Sequence, residues 1–305
     1  MILPSRRDLT MLVTDAFVYL HQPKTGGTFV AELLAAIHEA RGVPMPIVTV
    51  EPGQEHLLQP MQPGHAARLM LGTRYQHGAR RDIPPAFRHL PVVATVRHPF
   101  DRYISQFEFA WWRINPAMFG PIDDVQRRYP NYPEITFSEF VRLTNDASVR
   151  KPADAAGDAP GFHTQQFIEY FFRDPDAAWG RLGDVDALRT LFDSELRDVT
   201  FLDQSQLNDE LAAYLERHGY PADEAARVRT AGRIRPAGRT RPGVDNFEAD
   251  GWTRAYSARL GTTLGHRQEV EPQADVWKRY LSPDTRAFIV ENERLLFERF
   301  PRFVP

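Results

Sequence analysis

A short apolar run, Ala16-Phe17-Val18-Tyr19-Leu20, passes within two residues into Pro23-Lys24-Thr25-Gly26-Gly27-Thr28, and helical spacing begins at once after that. Five apolar residues are too few for a buried helix and suit a strand buried on both faces. Phe29, Leu33, Ala36 and Ile37 recur on one helical face, and Arg41-Gly42 supplies a stop, since glycine takes the left-handed position that follows a helix. A strand, a glycine turn and a helix in immediate succession commit the chain to an α/β fold, because the helix must lie back over the sheet it has just left.

The rest of the chain repeats the alternation. Pro46–Val50 reads as a second strand, 52–65 as a surface loop rich in Pro, Gly and Gln, and 68–71 as a third strand. Pro91-Val92-Val93-Ala94-Thr95-Val96 is the clearest strand, apolar and β-branched throughout. A helix is expected from His98-Pro99 to about Trp112, with proline suited to its first turn. Residues 150–161 read as a loop, 184–196 as helix, 199–202 as strand and 206–218 as helix ending at Gly219; Ser282-Pro283-Asp284 starts a last helix running to about Arg299. The pattern predicts three layers, α/β/α, around a central, mainly parallel sheet. It is expected to form one domain over 1–305, with helical and loop insertions around 113–180 and 227–275.

Charge and composition narrow the function. The net charge is −3, so no global field draws the chain to nucleic acid or to a membrane, and an anion site has to come from local Arg and Lys. There is no cysteine, which removes disulfides, thiolate metal sites and thiol nucleophiles, and fits a cytoplasmic setting. The basic start, Met1 to Arg7, leads into an apolar stretch interrupted by Thr14 and Asp15, which reads as the beginning of the fold and not as an export signal. No run of about 18 apolar residues occurs, so no membrane anchor is expected.

Two motifs carry chemistry. The first is Pro23 to Thr28, between strand and helix. A helix start presents unpaired N–H groups and the positive end of the dipole, which together hold phosphate-like anions. The glycines admit close approach of an anion, and Lys24 adds a mobile positive charge. A nucleoside-triphosphatase loop would have Gly-Lys-Ser/Thr at its end; here the lysine precedes the glycines, which disfavours that reading. The second motif is Arg97-His98-Pro99-Phe100-Asp101-Arg102-Tyr103-Ile104-Ser105. Arg97 follows the best strand, at the edge where open α/β sheets bind ligands, and its guanidinium suits a phosphate. Taken alone, the arginines of this motif could equally pair with Asp101 or Glu108 on the surface.

The two motifs together resemble those of the PAPS-dependent sulfotransferases, where PAPS is 3′-phosphoadenosine 5′-phosphosulfate. The carbohydrate-type branch is the nearest likeness, with its loop written His-x-Pro-Lys-Thr-Gly-Gly-Thr, which His21-Gln22-Pro23-Lys24 matches. Leu281-Ser282-Pro283 and the helix through Asn292, Leu295 and Phe300 are similar to that family's last helix. The resemblance implies a P-loop-like nucleotide-binding fold and transfer of a sulfuryl group from PAPS to a hydroxyl or amine. It implies that Lys24, Thr25, Gly26, Gly27, Thr28 and Phe29 hold the 5′-phosphosulfate and that Arg97 and Ser105 hold the 3′-phosphate, with no metal. The acceptor would be a carbohydrate or small metabolite, and neither its identity nor the oligomeric state is legible.

An acceptor hydroxyl needs a base that titrates near neutral pH. His77 is the expected one, in the interval where the histidine-using branch carries it; Glu55, His56 and His21 are alternatives, with Glu51 beside them. His163-Thr164-Gln165-Gln166 could line an acceptor pocket or start a polar helix. Phe107, Phe109, Trp111 and Trp112 are core residues or a stacking surface. The six arginines of 227–243 either contact an anion or form a solvated loop. Two rivals stand beside this reading. One is a magnesium-dependent P-loop phosphotransferase, with Asp203 ending an apolar strand as its metal ligand; the other is a non-catalytic adenosine-bisphosphate-binding protein.

Overall fold

The computed structural model describes residues 9–42, 46–50, 57–60, 78–151, 159–231 and 273–304. These fall into two compact units. One is drawn from Pro4–Arg97 and Asp198–Gln268, the other from His98–Arg197 and Glu269–Pro305. The expected insertion at 113–180 lies within the second unit, which begins as the chain leaves Arg97.

The first unit holds a six-stranded sheet in the order β4-β3-β1-β2-β5-β6. Its strands are β1 (Leu9–Val13), β2 (Val18–Leu20), β3 (Pro46–Val50), β4 (Leu57–Pro60), β5 (Val92–Val96) and β6 (Val199–Asp203). The α/β class is as expected, but the sheet is mixed and not mainly parallel. β2-β5 and β5-β6 are parallel, whereas β1-β2, β1-β3 and β3-β4 are antiparallel. The difference comes from two strands that the apolar pattern concealed. β1 folds back on β2 through a tight turn, in which the Thr14 hydroxyl accepts the N–H of Ala16 (3.1 Å) and of Phe17 (2.9 Å). β4 lies inside the stretch expected to be a surface loop. The third strand expected at 68–71 lies outside the described residues.

The first helix, Gly27–Ala40, packs on this sheet. Its buried stripe is Val30, Leu33, Leu34 and Ile37, at most 8 % exposed, a spacing of three, four and seven. The stripe is turned from the expected one: Ala36 is exposed and Phe29 only half-buried. Leu12, Phe17, Tyr19, Val93 and Leu202 from the strand side join that stripe in one core with the helices Leu207–Arg217 and Ala222–Thr230. Each large apolar side chain taken from water there contributes roughly 1.5–3 kcal/mol. Gly42 and Gly219 end their helices in the left-handed region, as the sequence predicts.

The second unit is helical. The helix Pro99–Phe109 is capped by His98, whose Nδ1 accepts the N–H of Phe100 at 3.1 Å while its Nε2 pairs with the Phe303 carbonyl at 2.8 Å. The helix stops short of Trp112 because Ala110 turns left-handed, and Trp111–Ile114 starts afresh. Phe137–Ser148 begins with a capping box, Thr136 with Glu139. The expected last helix is two, Pro283–Asn292 and Arg294–Arg299, parted at Glu293. No helix among the described residues is long and apolar enough to cross a membrane.

Candidate anion-binding site

The parallel half of the sheet sets β2, β5 and β6 side by side. Leu20 pairs with Ala94, and Val96 with Asp203, so three strand ends finish at one margin. The residues that leave those ends are His21 onward, Arg97, and Asp203-Gln204. Strand C-termini at such a margin are where open α/β sheets place their ligands.

The turn after β2 is held from within. Thr25 is fully buried, and its hydroxyl donates to the Gln22 carbonyl at 2.8 Å. Lys24 adopts φ 67° and Gly26 φ 98°, both left-handed. That conformation suits glycine, whereas a lysine in it is strained. Gly26 also lies close to the chain that follows β6: a Cβ there would come within 3.3 Å of Gln204 Cγ and Leu207 Cδ2. Gly27 is more tightly constrained, since a Cβ would fall 1.8 Å from Cδ2 of His21, so the imidazole occupies the space beside the first residue of the helix.

The first-turn amides of the helix that starts at Gly27 have no carbonyl a turn earlier to bond. The amide of Phe29 turns back to the Gly26 carbonyl at 3.0 Å, which leaves the N–H groups of Gly27 and Thr28 as the better anion donors. Gln22 is 2 % exposed, and its Nε2 has no hydrogen-bond partner. Buried donors are almost always satisfied, so this amide suits a site completed by oxygen acceptors.

Arg97 is brought to the same turn. Its Nη1 donates to the carbonyl of Lys24 at 3.3 Å. One step back along the strands, the Tyr19 and Thr95 hydroxyls, both buried, bond at 2.9 Å and tie β2 to β5. Neither this tie nor the packing of Gln204 on Gly26 is legible from spacing. Lys24, Thr25, Gly26, Gly27, Thr28, Phe29, Arg97 and His21 therefore belong to one compact unit and one sheet margin. Ser105 lies on the helix Pro99–Phe109 of the other unit. His77, Glu51, Glu55 and His56 lie outside the described residues, as do Arg233, Arg235, Arg239 and Arg241.

The acid that ends β6 is already engaged: Asp203 Oδ1 accepts both the N–H and the hydroxyl of Ser205 at 2.8 Å. Among the described residues, no group of three or more His, Cys, Asp or Glu is placed to hold a metal ion. In the helical unit, Asp101 accepts from Trp277 Nε1 (2.9 Å) and from Gln273, Glu108 from the Tyr280 hydroxyl, and Arg102 donates to Gln166. Arg102 and Asp101 are thus not a surface pair. His163, Thr164 and Gln165 are buried and bonded inside that unit, so they pack a helix start and do not line an open pocket. Phe107 and Trp112 are core residues; Trp111 is 39 % exposed and stacks with Phe109.

No family model, curated protein or solved structure matches the chain.

Proposed function

We propose that the chain is a PAPS-dependent sulfotransferase built on a P-loop-like variant of the α/β fold. The observation that carries this reading is the bond from the Arg97 guanidinium to the backbone carbonyl of Lys24, which brings the arginine that follows β5 onto the lysine-bearing turn that follows β2, at one sheet margin. A donor with phosphates at both ends of an adenosine needs two such grips; a triphosphate, with its charges in one row, needs one. Lys24 and the amides of Gly27 and Thr28 would hold the 5′-phosphosulfate, and Arg97 would take the 3′-phosphate.

PAPS supplies the sulfuryl group. In the transfer, the bond from sulfur to the bridging phosphate oxygen breaks and a bond from sulfur to the acceptor oxygen forms. The acceptor's proton passes to a base, for which His77 is the first choice. Lys24 neutralises the charge that grows on the departing oxygen. A magnesium-dependent phosphotransferase is less well supported. The lysine precedes the glycines, unlike the order of a triphosphate-binding loop, and the Thr25 hydroxyl, which such a loop would turn to the metal, is fully buried and donates to the Gln22 carbonyl.

The test is direct. The purified full chain is titrated with 3′,5′-adenosine bisphosphate, then given PAPS and a panel of hydroxyl and amine acceptors in the presence of EDTA. Binding together with acceptor-dependent release of the bisphosphate is expected. Binding without release would leave a non-catalytic nucleotide-binding protein, and no binding would end the reading.

A further inference from the structure

Lys24 is strained and held at the same time. A non-glycine residue at φ 67° is costly, and such conformations persist where the surroundings over-determine them. Here the following residue is anchored by Thr25 to Gln22, and the carbonyl of Lys24 itself is taken by Arg97 from the neighbouring strand. The Tyr19–Thr95 bond makes the ends of β2 and β5 a single piece beneath them.

We infer that Arg97 is a positioning residue for Lys24. Its hydrogen bond to the Lys24 carbonyl holds the lysine backbone left-handed and so sets the direction in which the Lys24 side chain leaves the turn. This deepens the reading above and rests on it for the identity of the ligand, but the backbone role stands on the geometry alone.

Two measurements test it on the full chain. The first needs no ligand. Trypsin cleaves after lysine, and the bond it would cut at Lys24–Thr25 is the one whose carbonyl Arg97 holds. Native-state digestion of Arg97→Ala is expected to cut there at least about tenfold faster than the parent, with other cuts unchanged apart from the site at residue 97 that the substitution removes, and Arg97→Lys to fall between them. The second measures binding of adenosine 5′-monophosphate, which has no 3′-phosphate for Arg97 to contact. Arg97→Ala is expected to weaken it about fivefold or more. A residue that served only the 3′-phosphate would leave both measurements at parental values, and that result overturns the inference. Should neither adenosine 5′-monophosphate nor the bisphosphate bind the parent while the tryptic cut still accelerates, the nucleotide reading fails and the positioning role survives. Unchanged far-UV circular dichroism keeps a global loss of fold from counting as support.

Discussion

Oε1 of Glu293 lies 2.6 Å from the point where a Cβ on Gly161 would stand. The carboxylate sits there because it caps the helix Phe162–Phe171 from another part of the unit. Its Oε1 accepts the N–H of His163 (3.0 Å) and the Tyr103 hydroxyl (2.6 Å), and its Oε2 accepts the N–H and hydroxyl of Thr164, both at 2.7 Å. Gly161, in the capping position, has no side chain to do this itself. Burial pushes the Glu293 carboxyl up from its usual range, and the four donated hydrogen bonds pull against that shift.

Glu293→Ala is expected to cost about 3–5 kcal/mol, because four buried donors lose their acceptor at once. Glu293→Gln should cost less, about 2 kcal/mol, since one oxygen remains. Gly161→Ala should cost about 1–3 kcal/mol through the clash with the same carboxylate. Urea unfolding of the three variants checks the order; a Gly161→Ala chain as stable as the parent would contradict the cap geometry.

His163 predicts the acid limb of the stability curve. The ring is fully buried, stacks on Tyr103 at 3.8 Å between centroids, and pairs through Nε2 with Gln106. Burial, helped by the positive charge of Arg102, holds its pKa well below 6.5. As pH falls below that ordinary value, the unfolded chain takes up a proton that the folded chain refuses. Stability is therefore lost on acidification, by about 1.4 kcal/mol per pH unit until the folded ring itself titrates. His163→Gln should remove that slope: the stability gap between parent and variant, measured by denaturant titration at pH 6.5 and 5.5, should shrink toward acid. A gap that stays constant would show that the ring is not held neutral.

At the start of the first helix, Gly27→Ala must displace the His21 ring, and a cost of about 1–3 kcal/mol is expected, together with weaker nucleotide binding. His21→Ala in the same chain opens the space. The double variant should recover most of the lost thermal midpoint, a non-additivity that only contacting residues show. Strict additivity would place the imidazole elsewhere.

Lys24→Ala should lower turnover with PAPS by about 10²–10³-fold, the usual scale for removing a group that stabilises charge in the transition state. Binding of 3′,5′-adenosine bisphosphate should change far less. Turnover equal to the parent would remove Lys24 from the chemistry.

Much of the local structure was legible because it is set by short-range rules. The run through Val18–Leu20, the glycine turn, the helix to Ala40 and its stop at Gly42 all follow from apolar spacing and from where glycine is needed. β5, β6 and the helix after β6 followed in the same way. The helix Phe137–Ser148 and the β1–β2 hairpin lie outside the expected elements, although their signals, the Thr136-Glu139 capping box and the Thr14 hydroxyl that closes the tight turn, are just as local.

Strand direction was a different matter. Apolar runs look alike whether their neighbours run parallel or antiparallel, and pairing is decided by hydrogen-bond partners far along the chain. That is why a mainly parallel sheet was expected where a mixed one forms. The buried stripe of the first helix keeps the expected Leu33 and Ile37 but takes Val30 and Leu34 in place of Phe29 and Ala36, because Val30 and Leu34 join the core with the strands and Ala36 does not.

The residue chemistry at positions 21–29 and at Arg97 belongs to the sequence itself: lysine, paired glycines and arginine next to strand ends, recognisable from side-chain type and order. Tertiary structure alone decided that Arg97 reaches the Lys24 carbonyl, that His21 fills the space over Gly27, and that Glu293 caps a helix some 130 positions earlier in the chain. Each of those is a contact between residues whose separation in sequence carries no energetic signal, and it exists only once packing of the sheet and helices has brought the partners within hydrogen-bond or van der Waals range.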